Sequence, residues 1–261
     1  MRIVTWNVNS IRARLERVLG WLERTRPDIA LLQEIKTVES GFPQLELSGL
    51  GYGVALIGEP TYNGVAILAR TPIEDVVTVL PGDPSDWEAR WIEATVGGLR
   101  VASVYVPNGT AVGSDRFRFK LAFFERLRAH AAALLESGRP FLIGGDFNVG
   151  PYPIDVFDPE GLEGTICYHA DERRGWRAMR NLGLYDAWRC LHPDAPGYSW
   201  WPYQGRALAG DQGLRIDHLL LSPALADRLQ AVGIDRGERE AKGASDHAPV
   251  WCELEVEAQP A

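Results

Sequence analysis

Short apolar runs ending in polar residues recur along the chain, and some are separated by longer stretches with apolar positions at helical spacing. Residues 2–6 read as a strand. Ser10 then caps a predicted helix carrying Ile11, Leu15, Val18, Leu19 and Leu22 on one face, with Pro27 just past its end. Residues 29–32 are a second apolar strand, and 54–57, 64–69, 76–80, 91–96 and 100–105 follow as strands separated by turn residues. Asp115 is the expected cap of a longer helix, with Phe117, Leu121, Phe124, Leu127, Ala131 and Leu134 on one side and Pro140 beyond it. A strand over 141–143, a helix over 171–182 and late strands over 215–221 and 249–256 complete the pattern.

Strand runs interleaved with a few long helices predict an α/β layered fold in which two packed sheets are flanked by helices. The irregular stretches 82–87, 150–165 and 203–213 are short, and no repeat or linker divides the sequence. One domain spanning 1–261 is therefore expected, with a frayed tail at the terminal AQPA. Hydrophobic residues make up 46% and charged residues 24%, which excludes a disordered chain. The three cysteines, Cys167, Cys190 and Cys252, form no CxxC pair, which argues against a disulfide scaffold or a thiolate zinc site. The opening MRIVTWNVNS has one basic residue and no long apolar run, and no membrane-spanning run follows, so a cytoplasmic protein without a membrane partner is expected. The net charge of −8 lowers the expectation of a polyanionic partner. Charge averages over all faces, however, and a bound divalent cation would reverse the sign of a local acidic cluster.

The candidate chemistry lies at the strand ends. The run IVTWN ends in Asn7, with Asn9 close behind, and IALLQE ends in Glu34. VASVYVPN delivers Tyr105 and Asn108, and FLIGGDFN delivers Asp146 and Asn148. LRIDH carries Asp217 and His218, and SDHAPV places Asp246 and His247 before the last strand. Turns alone account for Asn and Asp, but not for Glu after LLQ or Asp-His before an apolar run. If these ends meet, several carboxylates with amides, an imidazole and no thiolate make a hard, oxygen-rich site. That site suits Mg²⁺, with Mn²⁺ as a substitute, and metal-assisted phosphoester hydrolysis.

WNVNSIRAR, LQEIK, YNGVAILAR, YVPNG, GGDFNV, YSWW, GLRIDHLLLS and SDHAPV occur in that order. Together they resemble the exonuclease III type of abasic-site endonuclease, within the endonuclease–exonuclease–phosphatase superfamily, from residue 2 to about 255. The resemblance implies a four-layered α/β sandwich, two packed mixed β-sheets flanked by helices, with the site at one end. It implies Glu34 as the principal metal ligand, Asn7 nearby, and Asp246 contributing directly or through water. Asp146 would orient or deprotonate the attacking water and Asn148 would hold that water or the phosphate. His247 would bond a phosphate oxygen with its ring fixed by Asp217, and Tyr105 would contact the phosphate or assist the leaving oxygen. Either Asp146 or His247 would be the general base.

By the same resemblance Trp200, Leu214 and Ile216 line a pocket for a sugar without its base, while Trp201 is as readily a core aromatic. Asn108, Arg116, Arg173, Arg177 and Arg206 are candidates for the backbone of damaged duplex DNA, with Arg118, Lys120, Arg174 and Arg180 as further basic positions; a solvated helix face is the plainer reading of each. Thr110-Ala111 stands where relatives often carry a charged pair, and His218 replaces a tyrosine of some relatives and is expected beside the site without taking part. The expected activity is incision 5′ to an abasic site by a monomer, with 3′-5′ exonuclease and 3′-end-cleaning activity as extensions. Two rivals are a metal-dependent phosphatase or phosphodiesterase acting on a small phosphorylated molecule or RNA, and a catalytically silent DNA-binding protein, which predicts the loss of at least one core polar residue.

Overall fold

A computed structural model describes residues 1–255; the AQPA tail and Val256, the last residue of a predicted strand, lie outside the described residues. In chain order the strands are β1 (Arg2–Asn7), β2 (Ile29–Gln33), β3 (Gly53–Ile57), β4 (Val65–Ala69), β5 (Ile73–Val77), β6 (Trp91–Val96), β7 (Leu99–Tyr105), β8 (Phe141–Asp146), β9 (Tyr185–Asp186), β10 (Asp217–Leu221), β11 (Leu229–Ile234) and β12 (Val250–Leu254). The helices are α1 (Leu15–Thr25), α2 (Gln44–Gly49), α3 (Asp115–Glu136), α4 (Ala170–Asn181), α5 (Ala187–Leu191), α6 (Pro223–Ala226) and α7 (Arg236–Glu240).

Two mixed six-stranded sheets form, in the orders β11-β12-β1-β2-β4-β3 and β5-β6-β7-β8-β10-β9. One core lies between them, with Ile3, Ile29, Leu31 and Ile67 of the first sheet packed on Ile92, Leu142 and Leu219 of the second. Strands β2 and β4 are buried along their whole length, so they read as continuous apolar runs instead of alternating ones. Helix α1 seals the outer face of the first sheet with Val18, Trp21 and Leu22, spaced three and four residues apart. Helices α3 and α4 cover the second sheet through Phe123, Phe124, Leu127, Trp176 and Met179. The expected four-layered sandwich is the observed fold.

Differences from expectation are local. Ser10 does not cap α1; its φ is +83°, residues 11–14 form a turn, and the helix starts at Leu15 without a side-chain cap. Asp115 is the first helical residue, and Ser114 caps α3 by accepting from the Phe117 amide at 3.1 Å. The strand expected over 76–80 is β5, which begins and ends three residues earlier, with Val79 53% exposed beyond its end. The last predicted strands begin later, at Asp217 and Val250. No helix among the described residues is long and apolar enough to cross a membrane.

Candidate active site

The polar strand ends do share one end of the sandwich. Strands β1 and β2 run parallel, as do β7 and β8, so Asn7, Glu34, Tyr105 and Asp146 arrive together at C-terminal ends. Strand β10 runs antiparallel to β8 and begins there, setting Asp217 directly opposite Asp146. Gly145 permits the close β7–β8 approach, since a Cβ on it would lie 1.9 Å from the Val104 carbonyl oxygen.

Asn7, fully buried, donates Nδ2 to Glu34 Oε1 at 2.8 Å and to Asp146 Oδ2 at 3.0 Å. It thereby presents N–H groups, not its carbonyl oxygen, to both carboxylates; a metal-ligating Asn7 requires the opposite amide orientation, and the two orientations have nearly the same shape. Glu34 sits in the left-handed region at φ +49°, a conformation costing a non-glycine residue roughly 1–2 kcal/mol. Its Oε2 meets Lys36 Nζ at 2.7 Å. Asn148 donates its backbone amide to Asp146 Oδ1 at 2.8 Å, and its Nδ2 donates to the Val106 carbonyl at 3.0 Å. Asn108, exposed, reaches Asn148 Oδ1 with Nδ2 at 3.0 Å.

His247 Nδ1 lies 2.8 Å from Asp217 Oδ2, and its Nε2 lies 3.7 Å from Asp146 Oδ2. Burial alone would favour the neutral ring, but the Asp217 charge, then that of Asp146, outweighs it and raises the imidazole well above its ordinary value. Burial, then the Asp217 and Glu34 charges, raise the Asp146 carboxyl against the opposing pull of His247. The Tyr105 phenol is raised by burial and by Glu34 and Asp146, with the Arg90 guanidinium 4.7 Å from its ring centre. Asp246 accepts from Asn9 Nδ2 at 2.9 Å and Trp200 Nε1 at 3.0 Å; burial works against its charge, but His247 and these two donors hold its carboxyl below the usual range.

Glu34, Asp146 and His247 offer atoms all within 4.8 Å of one another. With His247 Nδ1 tied to Asp217, the cluster offers two carboxylates, one imidazole nitrogen and no thiolate, an oxygen-rich set that fits a hard divalent cation. Beside them an apolar cluster forms from Val156, Cys167, Tyr168, Leu214 and Ile216, with Trp200 packed against it. Trp200 pairs by backbone bridges with both Leu214 and His247, which joins that cluster to the acidic one. Trp201 is buried instead, donating Nε1 to Asp211 at 3.1 Å.

The basic candidates scatter more. Arg116 makes two bonds to Glu88, at 2.6 and 3.0 Å. Arg173 pairs with Glu163 at 2.6 Å and covers the Tyr168 ring. Arg177 donates to the Arg173 carbonyl, and Arg206 is exposed. Lys120 corrects the expectation of a backbone-tracking cation: it is fully buried and ion-paired with Glu172. His218 is buried between Phe147 and Trp176, beneath the site and out of it. Ser199, whose Oγ donates to Asp217 Oδ2 at 2.6 Å, and Lys36 escaped the sequence reading; their only signals are adjacency to Trp200 and to the LQE segment.

Residues 4–247 match the Endonuclease/Exonuclease/phosphatase family. The chain is 32% identical to exodeoxyribonuclease III of Haemophilus influenzae, over 97% of this chain and all of that protein. Among solved structures, a 3′ phosphatase from Neisseria bound to a product DNA hairpin superposes with a TM-score of 0.96 at 39% identity, covering 98% of this chain and 100% of that one. An AP endonuclease from Archaeoglobus fulgidus superposes with a TM-score of 0.94 at 36% identity, with the same coverage.

Proposed function

This chain belongs to the endonuclease/exonuclease/phosphatase family, in its exonuclease III branch, and from that premise we propose that it is a metal-dependent DNA-repair nuclease. It hydrolyses the phosphodiester 5′ to an abasic site in duplex DNA and leaves a 3′-hydroxyl, acting as a monomer and a single domain. The observation that carries this reading is the apolar cluster of Leu214 and Ile216 with Trp200 packed against it, joined to the acidic cluster through the 3.0 Å bond from Trp200 to Asp246, which we read as the wall of an apolar slot. A nucleotide without its base can turn into such a slot, whereas an intact one meets a steric barrier. Removal of 3′-terminal nucleotides or blocking groups breaks the same kind of bond at a strand end, and the similar Neisseria protein is a 3′ phosphatase.

In this reading Glu34, and Asn7 with its amide turned over, would hold Mg²⁺, or Mn²⁺ in its place, and Asp246 would contribute directly or through water. A cation bound there would supply charge stabilisation to the phosphate oxygens. Asp146, with the Asn148 amide donating to it, orients the attacking water and takes its proton. His247, tied through Nδ1 to Asp217, keeps Nε2 as the donor to a phosphate oxygen. Asn148 holds the water or phosphate, and Tyr105 contacts the phosphate or the leaving oxygen. Asn108, Arg116, Arg173, Arg177 and Arg206 follow the backbone of the duplex.

The test is incision of a duplex carrying one abasic analogue. Turnover is lost with EDTA, restored by Mg²⁺ or Mn²⁺, and strongly reduced in Glu34→Ala and Asp146→Asn. Equal cutting of undamaged duplex would remove the slot from the argument, and faster turnover of a free sugar phosphate would favour the small-molecule reading.

A further inference from the structure

Three segments that shape the site converge on one buried ammonium. Lys120, the second-turn residue of α3 with no exposure to solvent, donates Nζ to the Asn108 carbonyl at 3.0 Å, to the Asn148 carbonyl at 2.8 Å and to Glu172 Oε1. An ammonium has three N–H groups, and each has an acceptor. Glu172, equally buried, accepts from the Cys167 amide at 3.2 Å and from the His169 amide at 2.9 Å, so the pair also holds the chain entering α4.

Such a pair is a poor device for stability, because taking two charges out of water consumes most of their attraction. What it does supply is orientation. Asn148 is held at φ +50°, in the left-handed region, with its carbonyl turned inward onto Lys120. That turn aims the Asn148 side chain at Val106, Asn108 and Asp146. The Asn108 carbonyl is held by the same nitrogen, so the two asparagines keep a fixed spacing.

We propose that Lys120 and Glu172 are positioning residues for the reaction, a buried ion pair that sets the backbone from which Asn148 and Asn108 meet the scissile phosphate or the attacking water. This rests on the abasic-site nuclease reading. Neither residue touches substrate; both act through the asparagines.

The experiment compares wild type, Lys120→Met, Lys120→Met/Glu172→Gln, Asn148→Ala and Lys120→Met/Asn148→Ala on an abasic duplex, each checked for folding by circular dichroism. Lys120→Met is expected to lower kcat about tenfold or more with KM changed less than about threefold, the pattern of a lost transition-state interaction. In the Asn148→Ala background the same change is expected to cost less than about twofold, because residues acting as a unit are not additive. Full additivity, or an unchanged kcat in Lys120→Met, overturns the proposal. If Lys120→Met does not fold, Glu172→Gln, which keeps the shape, carries the same cycle and the same two outcomes. Absence of incision by the wild-type protein would instead remove the underlying nuclease reading.

Discussion

Asp146 and Asp217 face each other as register partners across β8 and β10, and their environments differ. Asp217 Oδ2 accepts from the Ser199 hydroxyl and lies 2.8 Å from His247 Nδ1, while Asp146 is crowded by Glu34 on one side and His247 Nε2 on the other. On the proposed reading Asp217 orients the ring and Asp146 handles the water.

Asp217→Asn should therefore cost activity without loss of fold. Asparagine keeps the shape and can accept from Ser199, but it removes the charge that favours the protonated imidazole. By analogy with carboxylates that orient functional histidines, kcat should fall about 10–100-fold. Steady-state incision rates, with thermal melts to confirm folding, check this; a change under twofold would mean His247 is oriented without Asp217.

Trp200→Ala should erode discrimination before it erodes chemistry. The ring packs on the Leu214–Ile216 cluster, and its N–H holds Asp246. Trp200→Phe keeps the wall and loses only that bond. The ratio of abasic to intact incision should drop about tenfold or more in Trp200→Ala, given the roughly 1–3 kcal/mol at stake in a hydrophobic pocket. It should stay nearer wild type in Trp200→Phe.

His218 should make folding stability sensitive to acid. The geometry fits a neutral ring, with Nε2 donating to the Val149 carbonyl at 2.9 Å and Nδ1 accepting from Arg215 at 3.0 Å. Burial, then the Arg215 charge, pushes its pKa down to about 4. Below about pH 6.5 the unfolded chain binds a proton that the folded protein refuses until about pH 4, so stability falls as pH drops through that window and is unaffected above it. The full loss is on the order of 3 kcal/mol. Urea unfolding of wild type and His218→Gln at pH 7 and pH 4.5 isolates it, because the other titrating groups are common to both. Equal pH slopes would contradict the buried neutral ring.

Arg206 and Arg116 should differ in their effect on DNA affinity. Glu88 already neutralises Arg116, whereas Arg206 lies exposed on the loop after Trp201. Arg206→Ala should lower the salt dependence of duplex binding by about one phosphate contact. Arg116→Ala should lower it by less, as measured by fluorescence anisotropy across a salt series.

Much of this molecule could be read in one dimension. Long apolar runs such as those of β2, β4, β7 and β8 were located to within a few residues, because a strand buried on both faces must be apolar throughout. The polar residues at their ends, Asn7, Glu34, Tyr105 and Asp146, were visible for the same reason: each interrupts a run that packing alone would have continued. Short or edge elements such as α5, α6, α7, β9 and β11 left too few periodic positions to be seen.

Only the tertiary structure decided which of these residues meet. The antiparallel pairing of β10 with β8 puts Asp217 across from Asp146, and the return of the chain through β12 beside β1 brings His247 to residues some 240 positions earlier. It also decided that Lys120, indistinguishable by spacing from its basic neighbours, turns inward, because the carboxylate that satisfies it belongs to another helix. Sequence order specifies periodicity and local caps, since both depend on near neighbours along the chain. Register and the sharing of a buried charge depend on contacts across it, and those exist only once the two sheets have closed on their core.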